Sequence, residues 1–471
     1  MKIRLGLGKL DMESVARYCL GELYDYTGNA GACVSYVCTD SREADADTLF
    51  VATRGEKVDG HDYIISALDR GCRCVLCEYV PTNIAGREVA FITVENSIDA
   101  FALIARGYRE KKKLCTVAIT GSVGKTTTKE LIASILSREK KLYATAGNFN
   151  SVIGMPMSLM EAPEDKDTAV FEMGMSAFGE IRSMTRTAAP DVALVINVGT
   201  SHLEYLKTRE NIARAKLEIA EGLKEGGTLL LNGDEPLLRK SFRGKKYSVV
   251  YVGIENRENC DAYAENIRVS ECGTEFDLVY KDKRYSSLKI KLIGKQFVYN
   301  AVFSAVASLI VGCSESTMRI GLISYTPDGI RQNIYTKDGV TVIADCYNAA
   351  PESMRASLDT LMAIETRGKR IAVLGDMREL GVDSDKMHRE MGHCVTQMGI
   401  DVLITLGASG AFIAEGAILS GMDPQNVFAE RSVENIESLC AEIRARMSNG
   451  DTILFKASRG VELERAINIL F

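Results

Sequence analysis

The sequence predicts a three-domain α/β protein with two successive parallel sheets covered by helices on both faces. Three observations predict it. The chain has 471 residues, and at about 150 residues per domain that is room for three cores. Near-continuous apolar segments over 116–120, 168–173, 191–199 and 227–232 alternate with helical stretches, as strands buried on both faces do. The same rhythm restarts after about residue 323. The expected divisions are 1–112, 113–322 and 323–471.

In the first segment two short helical patterns alternate with strands over 48–53 and 72–78, and the run Lys111-Lys112-Lys113 reads as a linker. Cys72, Cys74 and Cys77 sit close together, but no histidine adjoins them and the stretch reads as a strand, so packing is expected rather than zinc. The central segment adds a β-rich excursion over 247–292 and an apolar helix over 296–311. The last segment reads as strands over 340–346, 370–375, 401–406 and 451–456. Between and after them come helices over 352–364, 385–398, 433–447 and 462–470. No fixed-period repeat stands out.

The net charge of −6 is spread over mixed signs, which argues against a basic nucleic-acid-binding face. No apolar run is long enough for a membrane span, and residues 1–10 lack a continuous apolar signal core. A cytoplasmic location is expected. The 13 cysteines, odd in number and scattered through strands and helices, read as thiols of a reducing compartment.

The stretch Thr116-Val-Ala-Ile-Thr120-Gly-Ser-Val-Gly124-Lys-Thr-Thr-Thr-Lys-Glu130 carries the strongest chemical signal. An apolar strand runs into a glycine-bracketed turn and then a helix. Gly121 and Gly124 let backbone N–H groups curl around phosphate oxygens, and the helix presents the positive end of its dipole. Lys125 can reach the outer phosphates, and Thr126 can ligate magnesium. The place that the full phosphate-loop pattern gives to its first glycine is Ile119, so the loop is a shortened variant. Thr120, Ser122, Val123 and Thr127 complete the expected nucleotide contacts.

Two further groups fall at carboxyl ends of central strands, where ligands of parallel sheets gather. Phe171-Glu172-Met-Gly offers a carboxylate to a hard cation, and Asn197-Val-Gly-Thr-Ser-His202-Leu-Glu places a histidine past the next strand. Alone, Glu172 reads as a solvated strand end and His202 as a capping residue; beside Lys125 both point to function. Lys216 reads as a solvated lysine on a helix. Asn148 and Asn150 lie in a loop, Thr145-Ala-Gly-Asn-Phe-Asn150-Ser-Val-Ile-Gly154-Met-Pro156, whose amides either bind a polar ligand or cap a turn.

Together these motifs, with Ala215-Lys216-Leu-Glu-Ile, resemble the Mur ligases of bacterial cell-wall synthesis. Cys38-Thr-Asp40-Ser41-Arg42 and Gly55-Glu-Lys-Val-Asp59-Gly-His61 are similar to the UDP-binding domain of the family members that add the third residue or D-alanyl-D-alanine. Tyr347-Asn348-Ala-Ala350-Pro, Val373-Leu-Gly-Asp376-Met-Arg-Glu-Leu and Lys456-Ala-Ser-Arg459 resemble the C-terminal domain of the D-alanyl-D-alanine adder. The resemblance covers nearly the whole chain.

It implies a UDP-substrate-binding α/β domain, a central phosphate-loop ATPase domain and a Rossmann-like C-terminal domain that binds the incoming dipeptide. The implied activity is ATP-dependent ligation of D-alanyl-D-alanine to UDP-N-acetylmuramoyl-tripeptide through an acyl phosphate. ATP and Mg2+ are the implied cofactors and a monomer is expected. Lys125, Glu172, His202 and Lys216 are the implied catalytic set. Thr126, Glu172, His202 and a carbamylated Lys216 would serve the metal. Asn300, Arg331 and Asp345 would contact the nucleotide, while Ser41, Arg42, Asp59, His61, Asn148, Asn150 and Asn348 would contact the other substrates. Three departures from the family pattern are visible: Gln296-Phe297 for His-Asn, Ala350 for Asn and Ala457 for Gly. The change at 350 leaves the amine acceptor open, and a sister ligase or a non-catalytic binding subunit remain the alternatives.

Overall fold

The computed structural model describes residues 1–25, 32–55, 58–84, 86–145, 147–239, 246–327 and 329–471. Three large sheets follow one another along the chain.

The first sheet runs Lys2–Arg4, Tyr36–Cys38, Thr48–Val51, Cys74–Cys77, Ala90–Thr93, Glu22–Asp25, with the four inner strands parallel and each edge strand antiparallel. Helix Ser97–Glu110 starts at Asn96, whose Oδ1 accepts the Ile98 and Asp99 N–H groups and so satisfies two orphan donors of the first turn. Its buried face, Phe101, Ile104 and Tyr108, joins Val15 of helix Met12–Cys19 in one core. Cys74 belongs to that core, while Cys72 and Cys77 pack with Phe50 and Phe91 on the other side of the sheet. The two-residue period of the strand puts Cys74 and Cys77, three residues apart, on opposite faces, and Cys72 precedes the strand.

The central sheet has nine strands in the order Leu142–Ala144, Thr168–Glu172, Cys115–Thr120, Val192–Val195, Thr228–Asn232, Ser248–Gly253, Ala262–Ser270, Gly273–Tyr280, Lys283–Ile290. The first seven are parallel, and the last two extend the sheet antiparallel from the seventh. Side chains alternate between two cores. Val117, Ile119 and Leu194 meet helices Lys125–Leu136 and Gln296–Ile310, and Ala118, Phe171 and Val195 meet helices Gly154–Glu161 and Glu180–Ala188. Strand Val192–Val195 stops short of the expected 199, because Asn197 turns out of the ladder to bond the phosphate loop. The expected 145–156 loop likewise ends early: Gly154 and Pro156 lie in helix Gly154–Glu161. Proline is tolerated there because first-turn N–H groups have no intrahelical acceptor.

The third sheet runs Asn333–Lys337, Val340–Ala344, Thr452–Lys456, Arg370–Gly375, Val402–Leu406, Val427–Glu430, parallel apart from its first pair. The two edge strands and helix Gly410–Leu419 were not legible in the sequence. That helix, Gly-Ala-Phe-Ile-Ala-Glu-Gly-Ala-Ile-Leu, is apolar almost all round and shows no one-sided stripe. It packs backbone to backbone on helix Ser384–Gln397: a Cβ at Gly416 would lie 2.2 Å from the Arg389 carbonyl oxygen, and one at Gly392 would lie 2.0 Å from that of Ile413. Helix Glu315–Ser324 packs on the central helix Lys125–Leu136, with Ser134 Oγ donating to the Gly321 carbonyl. The expected division at 322/323 therefore falls just inside this helix. Among the described residues no helix is long and apolar enough to cross a membrane.

His388, fully buried, fixes the loop after strand Arg370–Gly375. Its Nδ1 lies 2.7 Å from the Ser384 carbonyl and its Nε2 accepts the Met377 N–H at 2.9 Å, which requires the neutral Nδ1–H tautomer. Burial lowers its pKa from the usual 6.5. Between the lowered value and 6.5 the unfolded chain binds the proton and the native one does not. The stabilisation is therefore complete above about pH 6.5 and is lost as pH falls through that window. From about pH 7.5 to about pH 5.5 the melting temperature of wild type is expected to fall by about 2–4 °C more than that of His388→Gln, the scale of 1 kcal/mol in a domain of this size. Parallel slopes in thermal melts would refute it.

Candidate active site

The phosphate loop joins strand Cys115–Thr120 to helix Lys125–Leu136. Gly121 is forced by Ile196, whose Cγ1 would lie 2.3 Å from an added Cβ, and Gly124 by its φ of +82° and by Asn300 Nδ2 at 2.4 Å. Asn197 Oδ1 accepts the Ser122 and Val123 N–H groups at 2.8 and 2.9 Å, and its Nδ2 donates to the Val123 carbonyl at 2.7 Å. Two loop amides are therefore engaged by a side chain. Those from Gly124 to Thr127, which open the helix and have no intrahelical acceptor, are the ones left for an anion. Asn197 was not singled out in the sequence, although it stands at the end of a strand beside the loop. Asn197→Ala would leave two donors without their acceptor, at a cost of about 1–3 kcal/mol. ADP affinity is expected to fall about 10-fold. Calorimetric titration with unchanged affinity would remove Asn197 from this role.

Lys125 Nζ donates to the Gly121 carbonyl at 2.9 Å, folded back over the loop. Thr126 Oγ1 donates to Glu172 Oε2 at 2.8 Å, and Asn150 Nδ2 donates to Glu172 Oε1 at 2.8 Å. The carboxylate is 4% exposed, held between a hydroxyl and an amide. Burial lowers the pKa of Lys125, while the nearby Glu172 opposes that shift.

One cavity of about 730 Å³ unites this machinery. Ser122, Val123, Gly124, Lys125, Thr126 and Thr127 line it, together with Asn150, Glu172 and His202 of the central domain and Arg331, Asp345 and Asn348 of the C-terminal domain. Arg331 Nη1 donates to Thr126 Oγ1 at 2.9 Å, and its guanidinium lies 3.3 Å from the Tyr347 ring centroid, a stacking that suits a planar cation. Asp345 Oδ2 accepts from Lys456 Nζ at 2.6 Å, Ser357 Oγ at 2.7 Å and Gln332 Nε2 at 2.8 Å. Lys456 also donates to the Asn348 carbonyl at 3.0 Å, so the turn carrying Asn348 is pinned by a buried ion pair. Glu352 crosses to the central domain, taking the Thr200 N–H at 2.9 Å and its Oγ1 at 3.2 Å. Gln296, one of the departures, also joins the two domains: its Nε2 donates to the Ala356 carbonyl and to Thr360 Oγ1.

Other expected residues stand differently. Thr120 and Gly121 lie behind the cavity wall, and Asn300 lines the cavity but spends its Nδ2 on Gly124 O and Thr128 Oγ1, bracing the loop from below. Asn148 is exposed and outside the cavity lining. Ser41, Arg42, Asp59 and His61 belong to the first domain and do not line this cavity. Arg42 projects into solvent and forks onto Asp40. His61 is buried, with Nδ1 at 2.6 Å from Asp59 Oδ1 and Nε2 accepting the Glu78 N–H at 2.9 Å. Both ring nitrogens are occupied, which makes it a brace for its loop rather than a free ligand contact.

Lys216 corrects the solvated-lysine reading of the helix pattern. It sits in helix Arg209–Leu217, is 1% exposed, and does not line the cavity. Among the described residues its amine has no hydrogen bond or ion pair. Burial first, and then the charge of Lys125, push its pKa well below 10.5.

The donor set suits a hard divalent cation: a hydroxyl from Thr126, a buried carboxylate from Glu172 and the His202 imidazole, all lining the one cavity. Among the described residues no three His, Cys, Asp or Glu side chains are grouped as metal ligands.

A glycine-bracketed phosphate loop at the carboxyl edge of a parallel sheet, roofed by a second α/β domain, defines a nucleotide-triphosphate-dependent enzyme. Three family models match: the Mur ligase family catalytic domain over 34–109, the Mur ligase middle domain over 119–308 and the Mur ligase glutamate ligase domain over 331–459. The chain is 37% identical over 438 residues, 92% of each chain, to UDP-N-acetylmuramoyl-tripeptide--D-alanyl-D-alanine ligase of Bacillus subtilis (strain 168). It superimposes on MurF from Acinetobacter baumannii with a TM-score of 0.87, 28% identity and 99% of each chain covered. MurF ligase from Thermotoga maritima in complex with ADP matches with a TM-score of 0.80 and 29% identity, over 92% of this chain and 96% of that one. The chain belongs to the Mur ligase family.

Proposed function

We propose that this protein is an ATP-dependent amide ligase that joins D-alanyl-D-alanine to UDP-N-acetylmuramoyl-tripeptide. One observation carries the reading. The phosphate loop, Glu172 and His202 share a single cavity with Arg331, Asp345 and Asn348 of the C-terminal domain, so nucleotide chemistry and an acceptor site face each other across one cleft. In the first step the tripeptide's terminal carboxylate oxygen attacks the γ-phosphorus of ATP; the bond to the β-phosphate oxygen breaks and ADP leaves. In the second, the free amine of the dipeptide attacks the acyl carbon, loses a proton, and phosphate leaves.

Such transfers need positioning and charge neutralisation more than covalent help from side chains. Lys125 and the amides of Gly124 to Thr127 supply these to the outer phosphates, and Arg331 clamps them from the C-terminal side. Thr126, Glu172, His202 and a carbamylated Lys216 would hold Mg2+. When bound, it would offset charge on the transferring phosphoryl group. Closure of the C-terminal domain, through Glu352 on Thr200 and Arg331 on Thr126, excludes water that would hydrolyse the acyl phosphate. Asn150 and Asn348 face the peptide substrates, and the first domain holds the UDP-sugar around Ser41, Arg42 and Asp59. The domain divisions at 112/113 and near 322 follow the same plan.

Ala350 keeps a second acceptor in view. It is 4% exposed, and its N–H is bonded by Ser353 Oγ at 2.9 Å, so this position presents no polar side chain to an incoming amine. The test is phosphate release with ATP, Mg2+ and UDP-N-acetylmuramoyl-tripeptide, with and without D-alanyl-D-alanine, with product mass measured. Release that depends on the dipeptide, with a pentapeptide product, supports the reading. Release without that mass gain points to another acceptor, and no release to a subunit that only binds.

A further inference from the structure

Glu379 stands in the loop after strand Arg370–Gly375, in the C-terminal domain, yet its contacts are with the central domain. Its Oε2 lies 2.6 Å from His202 Nδ1. Its carbonyl accepts the Glu204 N–H at 3.1 Å. Two residues on, Gly381 packs so closely that an added Cβ would lie 3.2 Å from Glu204 Cα. Both partners are held in the left-handed region, His202 at φ 67° and Glu379 at φ 64°. Residues with a side chain persist there only when their surroundings impose it, and such positions gather at functional sites.

The central domain does little to orient the imidazole. His202 precedes the one-turn helix Leu203–Leu206, and among the described residues no hydrogen bond from its own domain reaches the ring. The Glu379 contact itself lies out of line for a hydrogen bond, so it orients the ring by charge and contact. Glu379 does not line the cavity, whereas His202 does. The carboxylate therefore meets the histidine without forming part of the cavity wall. Metal-bound histidines commonly turn their second nitrogen to a carboxylate.

We propose that Glu379 is a positioning residue for His202: docking of the C-terminal domain sets its carboxylate against Nδ1 and turns Nε2 towards the cleft, where it takes a divalent cation. The inference rests on the reading of His202 as a cation ligand. Its consequence is that the histidine's part of the metal site is completed only when the two domains meet. Cation affinity and closure are then coupled through one side chain, and each must raise the other.

The test is titration of the full-length protein with Mn2+ in the presence of ADP, followed by electron paramagnetic resonance, for wild type, Glu379→Gln, His202→Ala and the double variant. Glu379→Gln keeps the side chain's size at a position that is 42% exposed, so the fold is retained, which melting curves check. The expected result is a Mn2+ class that His202→Ala removes and Glu379→Gln weakens about 10–100-fold, with the double variant no weaker than His202→Ala alone. Unchanged Mn2+ affinity in Glu379→Gln, or a loss that adds to that of His202→Ala, would overturn the proposal and leave Glu379 as an interdomain contact only. Absence of any His202-dependent Mn2+ class in wild type would instead remove the ligand reading on which the proposal stands.

Discussion

Lys125→Ala is expected to lower kcat about 10²–10³-fold, the cost of deleting one preorganised charge at a phosphoryl transition state, while the fold survives. Lys125 is a half-buried cation resting on the Gly121 carbonyl, with Glu172 as its strongest opposing charge. Removing it relieves a desolvation penalty but leaves the Glu172 carboxylate less compensated, so the net change in melting temperature should be small. Lys125→Arg is expected to fail as well, since a planar fork cannot replace a compact ammonium inside a loop this tight. Phosphate-release kinetics alongside circular dichroism make the comparison, and near-wild-type turnover in the alanine variant would remove Lys125 from the mechanism.

The second large effect concerns Lys216. A lysine that is 1% exposed, has no anionic partner among the described residues, and is driven well below 10.5 by burial and by Lys125 gives up its proton more readily than an ordinary lysine. A neutral amine can add to carbon dioxide. With loss of a proton the carbamate that forms is an anion, which the neighbouring Lys125 ammonium attracts. Lys216→Ala is expected to lose about 10²–10³-fold in kcat and to regain part of it with added acetate or formate. Stripping carbon dioxide from the buffer should slow the wild-type enzyme. If small carboxylates restore nothing and carbon dioxide depletion changes nothing, the carbamate is ruled out.

Stability has its own sign. In the window between the lowered pKa and 10.5 the unfolded chain binds a proton that the native chain does not. Without carbon dioxide, wild-type stability therefore rises with pH across that window. Lys216→Met should abolish the slope and raise the melting temperature at neutral pH while losing activity as the alanine variant is expected to.

The central strands were legible because parallel strands buried on both faces are apolar throughout, so Ile119 and Phe171 announce a sheet wherever they sit. The phosphate loop was legible because its chemistry is local: Gly121, Gly124, Lys125 and Thr126 act within one turn of the chain. Helix Gly410–Leu419 was hidden by the absence of a polar face, and strands Asn333–Lys337 and Val427–Glu430 by being short sheet edges. Lys216 was misread for a physical reason as well. A lysine in a helix pattern is solvated unless something covers it, and what covers it here is the rest of the central domain.

Glu172, His202 and Lys125 are far apart in sequence, yet each could be placed beside the others because all stand at strand ends or in the loops that follow them. Residue type and spacing were enough for the fold class, the nucleotide loop and the family. The tertiary arrangement added what acts across domains or out of the chain's local reach. Asn197 holds two loop amides, Arg331 bonds Thr126, Glu352 clasps Thr200, and Glu379 meets His202. None of these pairings carries a periodic or local signature: the Asn197 contact depends on which strands lie side by side in the central sheet, and the other three on how one domain docks on another. The same holds for burial, which takes Lys216 off the surface and pushes its pKa down, and which leaves both ring nitrogens of His61 engaged by its own domain.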